Sequence, residues 1–170
     1  AGRGRVATFA DTTGAAWAGE RRLKYFSHIN PTRAFAPMLV SSGQGAFGAS
    51  NSLLACPPEA HRVCTSAARA GVQNLLKSLA GEFAQAIRVN SVVVGLIESG
   101  QWERRFAARE DRALTREQWL ADLARSKNIP LGRLGLPQEV ARAIAFLGSP
   151  AASFVTGAQI EVSGGLSRHI

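Results

Sequence analysis

The sequence predicts an α/β fold in which helices alternate with the strands of a parallel sheet. Residues 87–94 are rich in β-branched side chains, as expected of a strand that is buried on both faces of such a sheet. Residues 65–83 place apolar side chains three and four positions apart, which is typical of an amphipathic helix. Segments 46–50 and 158–162 are shorter strand candidates. The resulting order of helices and strands, with short turns between them, is that of a layered α/β domain.

The remaining helices carry recognisable start and stop signals. The threonine pair at 12–13 can cap a helix that runs towards Met38, and Pro31 should kink this helix or mark a restart. Residues 101–126 predict one or two charged helices. Pro137 is well placed in the first turn of a last helix.

The length and composition indicate one domain spanning residues 1–170. Hydrophobic residues make up 46% and charged residues 19% of the chain, which fits a folded protein rather than a disordered one. No apolar run approaches the roughly 18 residues that a membrane span needs. Cys56 and Cys64 are too few for a disulfide framework or a zinc site, and the histidines show no metal-ligand spacing. We therefore expect a cytoplasmic protein with reduced thiols, no membrane partner and no metal.

The chain is strongly basic, with a formal net charge of +8 and a pI near 11.0. Along residues 103–116, arginines alternate with glutamate and aspartate. This pattern is typical of a solvated helix face, with an anion-binding surface as the alternative. The mixing of acidic and basic residues argues against a nucleic-acid-binding module, and the high pI is the only feature that favours one. A nucleic-acid partner is therefore not expected.

Three polar side chains are spaced so that they can meet in one cleft. Thr65 and Arg69 lie four positions apart, which puts them on the same face of the predicted helix. Ser52 precedes Thr65 by thirteen positions and ends a predicted strand. A strand end, a loop and the first turns of a helix can bring the three together.

This arrangement resembles the short-chain dehydrogenase/reductase family, in which a serine precedes a Tyr-x-x-x-Lys pair by the same interval. Here Thr65 stands at the tyrosine position and Arg69 at the lysine position. The C-terminal part also follows the family in order, from PLGRLGLPQEVA at 130–141 to VSGG at 162–165, where Ser163 replaces an aspartate. The resemblance implies a Rossmann-like, doubly wound parallel sheet.

Two shorter matches concern the cofactor. Ala1-Gly2 corresponds to the end of the family's Asn-Ala-Gly, so the resemblance implies that the sequence covers the C-terminal two-thirds of the fold. The N-terminal βαβ units, with their phosphate-binding glycine-rich turn, would then lie outside it. Segment 94–99, VGLIES, resembles the family's Pro-Gly-x-Ile-x-Thr, which holds the nicotinamide carboxamide. The implied cofactor is NAD or NADP, and the candidate binding residues are Gly2, Arg69, Gly95, Ile97 and Ser99.

The resemblance implies hydride transfer between a nicotinamide and a small carbonyl or alcohol substrate, by a homodimer or homotetramer. Ser52 would orient the substrate oxygen. An aliphatic hydroxyl ionises far above the tyrosine pKa of about 10, so Thr65 would at most relay a proton through a water. Arg69 can clamp the ribose but, with a pKa above about 12, cannot shuttle protons near neutrality. Lys24 falls at the asparagine position of the family's active-site tetrad, where a desolvated lysine can act as acid or base.

Alternatives stay open at this point. Ser52, Thr65 and Arg69 can also be ordinary residues of an inherited scaffold, in a pseudoenzyme that serves assembly through its apolar helix faces. Lys24 can also be a solvated helix residue.

Two further features bear on ligands. Arg104 and Arg105, near the substrate loop that the resemblance implies, suggest an anionic group on the substrate. Segment 43–48, GQGAFG, satisfies the dinucleotide pattern G-x-G-x-x-G. That motif needs a strand before it and a helix after it. Here it follows a helix and precedes a weak strand, so we predict a turn.

Overall fold

The computed structural model of the chain describes residues 4–56 and 58–167, so Gly2 lies outside the described residues. The helical and strand segments follow the predicted order, with three helices before the last strand. The α-helices are α1 (Gly14–Ser41), α2 (Val63–Glu82), α3 (Gly100–Ala107), α4 (Arg116–Ser126) and α5 (Pro137–Gly148), and the strands are β1 (Gly45–Ser52), β2 (Ile87–Val94) and β3 (Gln159–Val162). A single 3-10 turn follows β1, and another follows α5.

The strands form one parallel sheet in the order β1–β2–β3. β1 pairs with β2 along its whole length, from Gly45 opposite Ile87 to Ser52 opposite Val94. β3 pairs with the second half of β2. The central strand, β2, is buried at most positions, as its β-branched side chains predict. β1 and β2 therefore end side by side at the same edge.

Helices cover both faces of this sheet. Side chains alternate between the two faces along a strand. Ile87 forms a core cluster with Val72 and Leu76 of α2, and α1 packs on the same side. The next side chain, Arg88, reaches the opposite face, where it donates to the carbonyl oxygen of Leu147 in α5 over 2.7 Å. The doubly wound, Rossmann-like layering predicted from the sequence is confirmed.

α1 begins as predicted but is longer and more continuous. The side chain of Thr13 caps it by accepting a hydrogen bond from the backbone N–H three residues later. The helix then runs through Pro31 and Pro37 to its end, so a restart at Pro31 is not observed. Each proline removes one backbone donor, but Ala36 and Leu39 pack against the core cluster beyond them. Packing of this kind supplies most helix stability in proteins.

The charged region 101–126 forms two helices rather than one. The break between α3 and α4 ends at Thr115, which caps α4 in a capping box. Trp102 of α3 and Ala124 of α4 then meet in a second core cluster. Pro137 occupies the first turn of α5, as predicted.

The G-x-G-x-x-G segment lies at the opposite edge from the strand ends. Gly43 sits in the turn between α1 and β1 with a φ of 67°, which a glycine adopts readily. Gly45 and Gly48 are part of β1 itself. The segment therefore lacks the strand-to-helix turn that a dinucleotide fingerprint requires.

Candidate active site

The residues singled out from the sequence gather where β1 and β2 end. Ligands of open α/β sheets bind outside the carboxyl ends of the strands. A 3-10 turn and a loop follow Ser52, and the first turns of α2 lie against this edge. Asn51, the last but one residue of β1, donates through Nδ2 to the backbone carbonyl of Arg69 over 3.0 Å. The strand end and the helix are thus joined directly.

Four polar side chains lie where α1 packs on α2, and we call them the polar cluster: Glu20, Lys24, Thr65 and Arg69. The first two are one turn apart on α1 and the last two are one turn apart on α2, so each pair shares a helix face. Thr65 is fully buried, and Glu20 and Lys24 are only 7% and 6% exposed. Arg69 is half-buried. Burying ionised groups is costly unless they are paired and hydrogen-bonded, so their mutual contacts decide what the cluster can do.

Glu20 connects the cluster. The Thr65 hydroxyl donates to Glu20 Oε2 over 2.9 Å and accepts from the backbone N–H of Arg5 over 3.0 Å. Lys24 Nζ lies 3.9 Å from the same carboxylate oxygen. One oxygen of Glu20 therefore faces a hydroxyl on α2 and an ammonium group on its own helix.

The electrostatics of the cluster favour proton release from Lys24. Burial lowers the pKa of Lys24, the positive charge of Arg69 lowers it further, and the carboxylate of Glu20 opposes the shift. Burial also lowers the pKa of Arg69. The carboxylate of Glu20 raises this pKa, and the positive charge of Arg62 lowers it further. An arginine nonetheless remains charged near neutrality. Lys24 therefore holds its proton less tightly than an exposed lysine does.

Asn51 links Ser52 to the polar cluster. Its Oδ1 accepts from Arg69 Nη1 over 3.1 Å and from the backbone N–H of Ser52 over 2.9 Å. Its Nδ2 also donates to Gln73 Oε1 over 3.2 Å, which fixes the orientation of the carboxamide. The Ser52 hydroxyl accepts from the backbone N–H of Leu54 over 3.3 Å and caps the 3-10 turn.

The structure thus brings Lys24, Thr65 and Arg69 together and joins Ser52 to them through Asn51. The alternative in which Lys24 is a solvated residue is wrong, because the side chain is buried between the helices. Arg69 Nε is buried and, within residues 4–56 and 58–167, has no hydrogen-bond partner. A buried donor of this kind is rare and costly unless a further group satisfies it.

Two residues of the site were missed from the sequence. Glu20 had a signal, since it lies four positions before Lys24 and shares its helix face. Asn51 had none, because an asparagine beside a strand-terminal serine is indistinguishable from an ordinary turn residue until α2 is packed against it.

The segment from Gly95 to Ser99 is held firmly at the same edge. Gly95 donates its N–H to the last residue of β3 over 3.0 Å, and a Cβ placed on it would lie 2.8 Å from the Cα of Ser163. Ile97 accepts from Trp102 Nε1 over 2.9 Å through its carbonyl. Ser99 is the exposed N-cap residue of α3, and its side chain makes no capping bond.

Residues 1–167 match a protein family described as "Enoyl-(Acyl carrier protein) reductase". The chain belongs to the short-chain dehydrogenase/reductase family. Cis-4-hydroxycyclohexanecarboxylate dehydrogenase from Sinomonas cyclohexanicum is 36% identical over 163 residues, covering 91% of this chain and 53% of the relative. Galactitol 2-dehydrogenase (L-tagatose-forming) from Cereibacter sphaeroides is 33% identical over 168 residues, covering 97% of this chain and 62% of the relative.

Two solved structures are closer in sequence to this short-chain dehydrogenase/reductase. An apo short chain oxidoreductase from Pseudomonas aeruginosa PAO1, described as containing an atypical catalytic center, is 60% identical with a TM-score of 0.96. The match covers all of this chain and 65% of the Pseudomonas protein. An NADPH-bound structure with the same description is 59% identical, with a TM-score of 0.91. This match covers all of this chain and 64% of that protein. The chain spans less than two-thirds of each of these four proteins.

Tyr25, the only tyrosine, does not substitute for the family's catalytic tyrosine. Its ring packs against the core cluster, and a Cβ placed on Gly71 would lie 1.6 Å from its hydroxyl oxygen. The hydroxyl thus rests on the backbone of α2 where the two helices cross.

No group of three or more His, Cys, Asp or Glu side chains in the described part of the chain could hold a metal ion. Over the same ranges, none of the helices combines the length and the apolar character needed to cross a bilayer.

Proposed function

We propose that the protein is an NAD(P)-dependent oxidoreductase that transfers hydride between a nicotinamide and a small carbonyl or alcohol substrate. The observation that carries the proposal is the polar cluster. It is buried at the carboxyl edge of the sheet, it occupies the family's tyrosine and lysine positions, and it contains a lysine whose pKa is lowered. The NADPH bound by the similar Pseudomonas protein supports a nicotinamide cofactor.

The residues present fit such a cofactor. Arg69 Nε is a buried donor in need of an acceptor, and a ribose hydroxyl is a suitable one. Gly95, Ile97 and Ser99 form a fixed segment at the same edge, and the Ser99 hydroxyl is not used as a helix cap. We propose these residues for the nicotinamide carboxamide, with Gly2 as a further candidate beyond the described residues. When bound, the dinucleotide supplies or accepts the hydride.

We propose Lys24 as the proton donor in reduction and the acceptor in oxidation. In reduction, the substrate oxygen takes the proton of the Lys24 ammonium group while the carbonyl carbon receives the hydride, which yields the alcohol. A donor whose pKa lies nearer to the working pH performs this role more effectively. Ser52 orients the substrate oxygen.

Thr65 has a different role in this proposal. Its hydroxyl is buried and bonded to Glu20 and to the backbone of Arg5, so it acts as a positioning residue. It holds the carboxylate that sets the charge balance around Lys24. A water relay from Thr65 is not needed.

A second candidate function is an assembly subunit without catalysis. Large apolar side chains lie exposed along α1, including Phe35 at 55% and Met38 at 68%. A face of this kind fits a homodimer or homotetramer, which we also propose for the active enzyme. We infer a cytoplasmic location from the two cysteines, both of which are free.

The test uses the full-length protein with NADPH and NADH. Binding is followed by cofactor fluorescence, and turnover is measured over a panel of ketones and aldehydes. We expect Lys24→Met to lower kcat/KM by about 100-fold or more while the NADPH dissociation constant stays within a factor of about three. Lys24→Arg should be equally inactive, because it keeps the charge but does not release its proton near neutrality.

Lys127→Met, at an exposed position after α4, is the matched control and should keep full activity. Full activity of Lys24→Met would overturn the role of Lys24. Tight self-association without any nicotinamide binding would overturn the oxidoreductase and favour the assembly subunit.

A further inference from the structure

Two groups of cations lie on elements that adjoin the carboxyl edge of the sheet. The polar cluster adjoins the end of β1 through Asn51, and Ser52 is the register partner of Val94. The chain that leaves β2 at Val94 passes through the 95–99 segment directly into α3. The topology therefore places α3 beside the site.

The polar cluster has more positive than negative charge. Within residues 4–56 and 58–167, Glu20 supplies the carboxylate that faces Lys24 and Arg69, so the four members carry two positive charges and one negative charge. Arg62, which adds to the positive potential at Arg69, is itself held by Glu59, with Arg62 Nε 3.0 Å from the carboxylate. A nicotinamide ribose is neutral, so it would satisfy a donor of Arg69 without balancing this charge.

Two acidic side chains at the start of α3, Glu98 and Glu103, are engaged by an arginine of another helix. Arg116 of α4 bridges them: its Nη2 lies 2.8 Å from Glu98 Oε2 and also binds Glu103. Neither carboxylate is paired with Arg104 or Arg105, and no ion pair of these two arginines occurs among the described residues. Because Arg116 binds both carboxylates, they do not balance the positive charges of Arg104 and Arg105.

The two arginines are also placed by local contacts. Arg105 stacks on Trp102, with its guanidinium carbon 4.9 Å from the ring centroid. Such a contact restrains the side chain without neutralising its charge. Arg104 folds back over the first turn of α3, since a Cβ placed on Gly100 would lie 3.3 Å from Arg104 Nη1. Both side chains are exposed and can receive a ligand.

We infer that the substrate carries an anionic group, a carboxylate or a phosphate, which Arg104 binds and Arg105 helps to attract. The inference rests on the proposed function and names the substrate class of that same site. The anion offsets the excess positive charge of the polar cluster and of Arg104 and Arg105. The reacting carbonyl or hydroxyl group of the same molecule then faces Lys24 and Ser52.

The experiment compares matched pairs of compounds on the full-length protein with NADPH. The carboxylates 2-oxobutyrate, acetoacetate and levulinate, which differ in the distance between carbonyl and charge, are each paired with the methyl ester. Dihydroxyacetone phosphate is paired with dihydroxyacetone, so that a phosphate is distinguished from a carboxylate. We expect kcat/KM for at least one anion to exceed that of its neutral partner by about tenfold or more, and to fall as ionic strength rises.

The variant Arg104→Gln/Arg105→Gln should abolish this preference. The anion should lose about tenfold in kcat/KM, as expected when a charge-assisted contact is removed, while its neutral partner changes by less than a factor of about two. Arg142→Gln, on the exposed surface of α5, is the control and should leave the preference intact. Equal rates for every pair, or a preference that survives the double substitution, would overturn the inference.

A binding measurement separates this inference from the proposed function. The anions are titrated by calorimetry into full-length protein without cofactor, with quenching of tryptophan fluorescence as a second signal, because Trp102 lies under Arg105. Anion binding that the double substitution removes supports the inference even if no compound is turned over, an outcome that would count against the oxidoreductase alone. Binding that is absent, or unchanged in the variant, overturns the inference.

Discussion

The hydroxyl of Thr65 donates a 2.9 Å hydrogen bond to the carboxylate of Glu20, forty-five positions earlier in the chain. The bond joins α2 to α1 at a fully buried point, and it holds the carboxylate next to Lys24. The family has a tyrosine at this position, and a tyrosine can transfer a proton. Thr65 instead holds the carboxylate of Glu20 in place beside Lys24. In the function proposed above, proton transfer then depends on Lys24.

Thr65→Val tests this contact, because valine keeps the shape of threonine and removes only the hydroxyl. Glu20 and the backbone N–H of Arg5 would each lose a buried partner. We expect the free energy of unfolding to fall by about 1–3 kcal/mol, measured by urea denaturation. Thr8→Val removes an exposed bond to Asp11 and should cost less than about 0.5 kcal/mol. Equal losses in the two variants would show that the buried bond has no special weight.

The buried Lys24 predicts a pH-dependent stability. Lys24 binds its proton more weakly in the folded protein than in the unfolded chain, because burial and Arg69 lower its pKa below 10.5. The unfolded chain therefore holds more protons, and the free energy of unfolding rises with pH between the lowered pKa and 10.5. Lys24→Met removes this contribution. The stability of wild type minus that of the variant, from urea titrations at several pH values up to 10, should increase with pH. A constant or decreasing difference would contradict the prediction.

The fold could be predicted because its strongest elements follow from local patterns. The β-branched run of β2 and the apolar repeat of α2 specify their own burial. The continuity of α1 through Pro31 could not be predicted in the same way, since the loss of one backbone hydrogen bond is visible in the sequence. The packing that compensates for it involves residues such as Leu39, whose partners lie far away in the chain.

In the candidate site, too, residues within a local sequence pattern could be predicted, and contacts that depend on tertiary packing could not. Ser52, Thr65 and Arg69 could be found because their spacing matches a family pattern, and Lys24 because its position in that pattern is fixed by counting. The spacing of Glu20 and Lys24 indicates their shared helix face, but the hydrogen bond from Thr65 to Glu20 forms only because α1 crosses α2. A helix crossing is a tertiary contact, and side-chain spacing within one helix does not specify it.

Gly71→Ala tests how tightly the two helices cross. The added methyl group would meet the hydroxyl oxygen of Tyr25 at 1.6 Å, so Tyr25 or the helix must move. We expect a loss of about 1–3 kcal/mol in the free energy of unfolding from overpacking. Gly81→Ala, in the same helix with no atom within 4 Å of the new Cβ, should instead gain about 0.5–1 kcal/mol.

A double-mutant cycle assigns the cause. In a Tyr25→Ala background the ring is absent, and Gly71→Ala should cost much less than in the wild type. If the cost were the same in both backgrounds, the clash with Tyr25 would not be its source.

Gly95→Ala tests the segment that we propose for the nicotinamide carboxamide. A Cβ on Gly95 would lie 2.8 Å from the Cα of Ser163. Because this Cα belongs to the backbone and cannot rotate away, the end of β2 or of β3 must shift. We expect a loss of about 1–3 kcal/mol in the free energy of unfolding and weaker NADPH binding by the folded variant, measured by fluorescence titration. Gly48→Ala, whose new Cβ would make an ordinary 3.7 Å contact with Ile144, is the control and should preserve both quantities. Reduced stability with unchanged NADPH affinity would mean that the close approach serves the sheet alone, and that the 95–99 segment does not hold the cofactor.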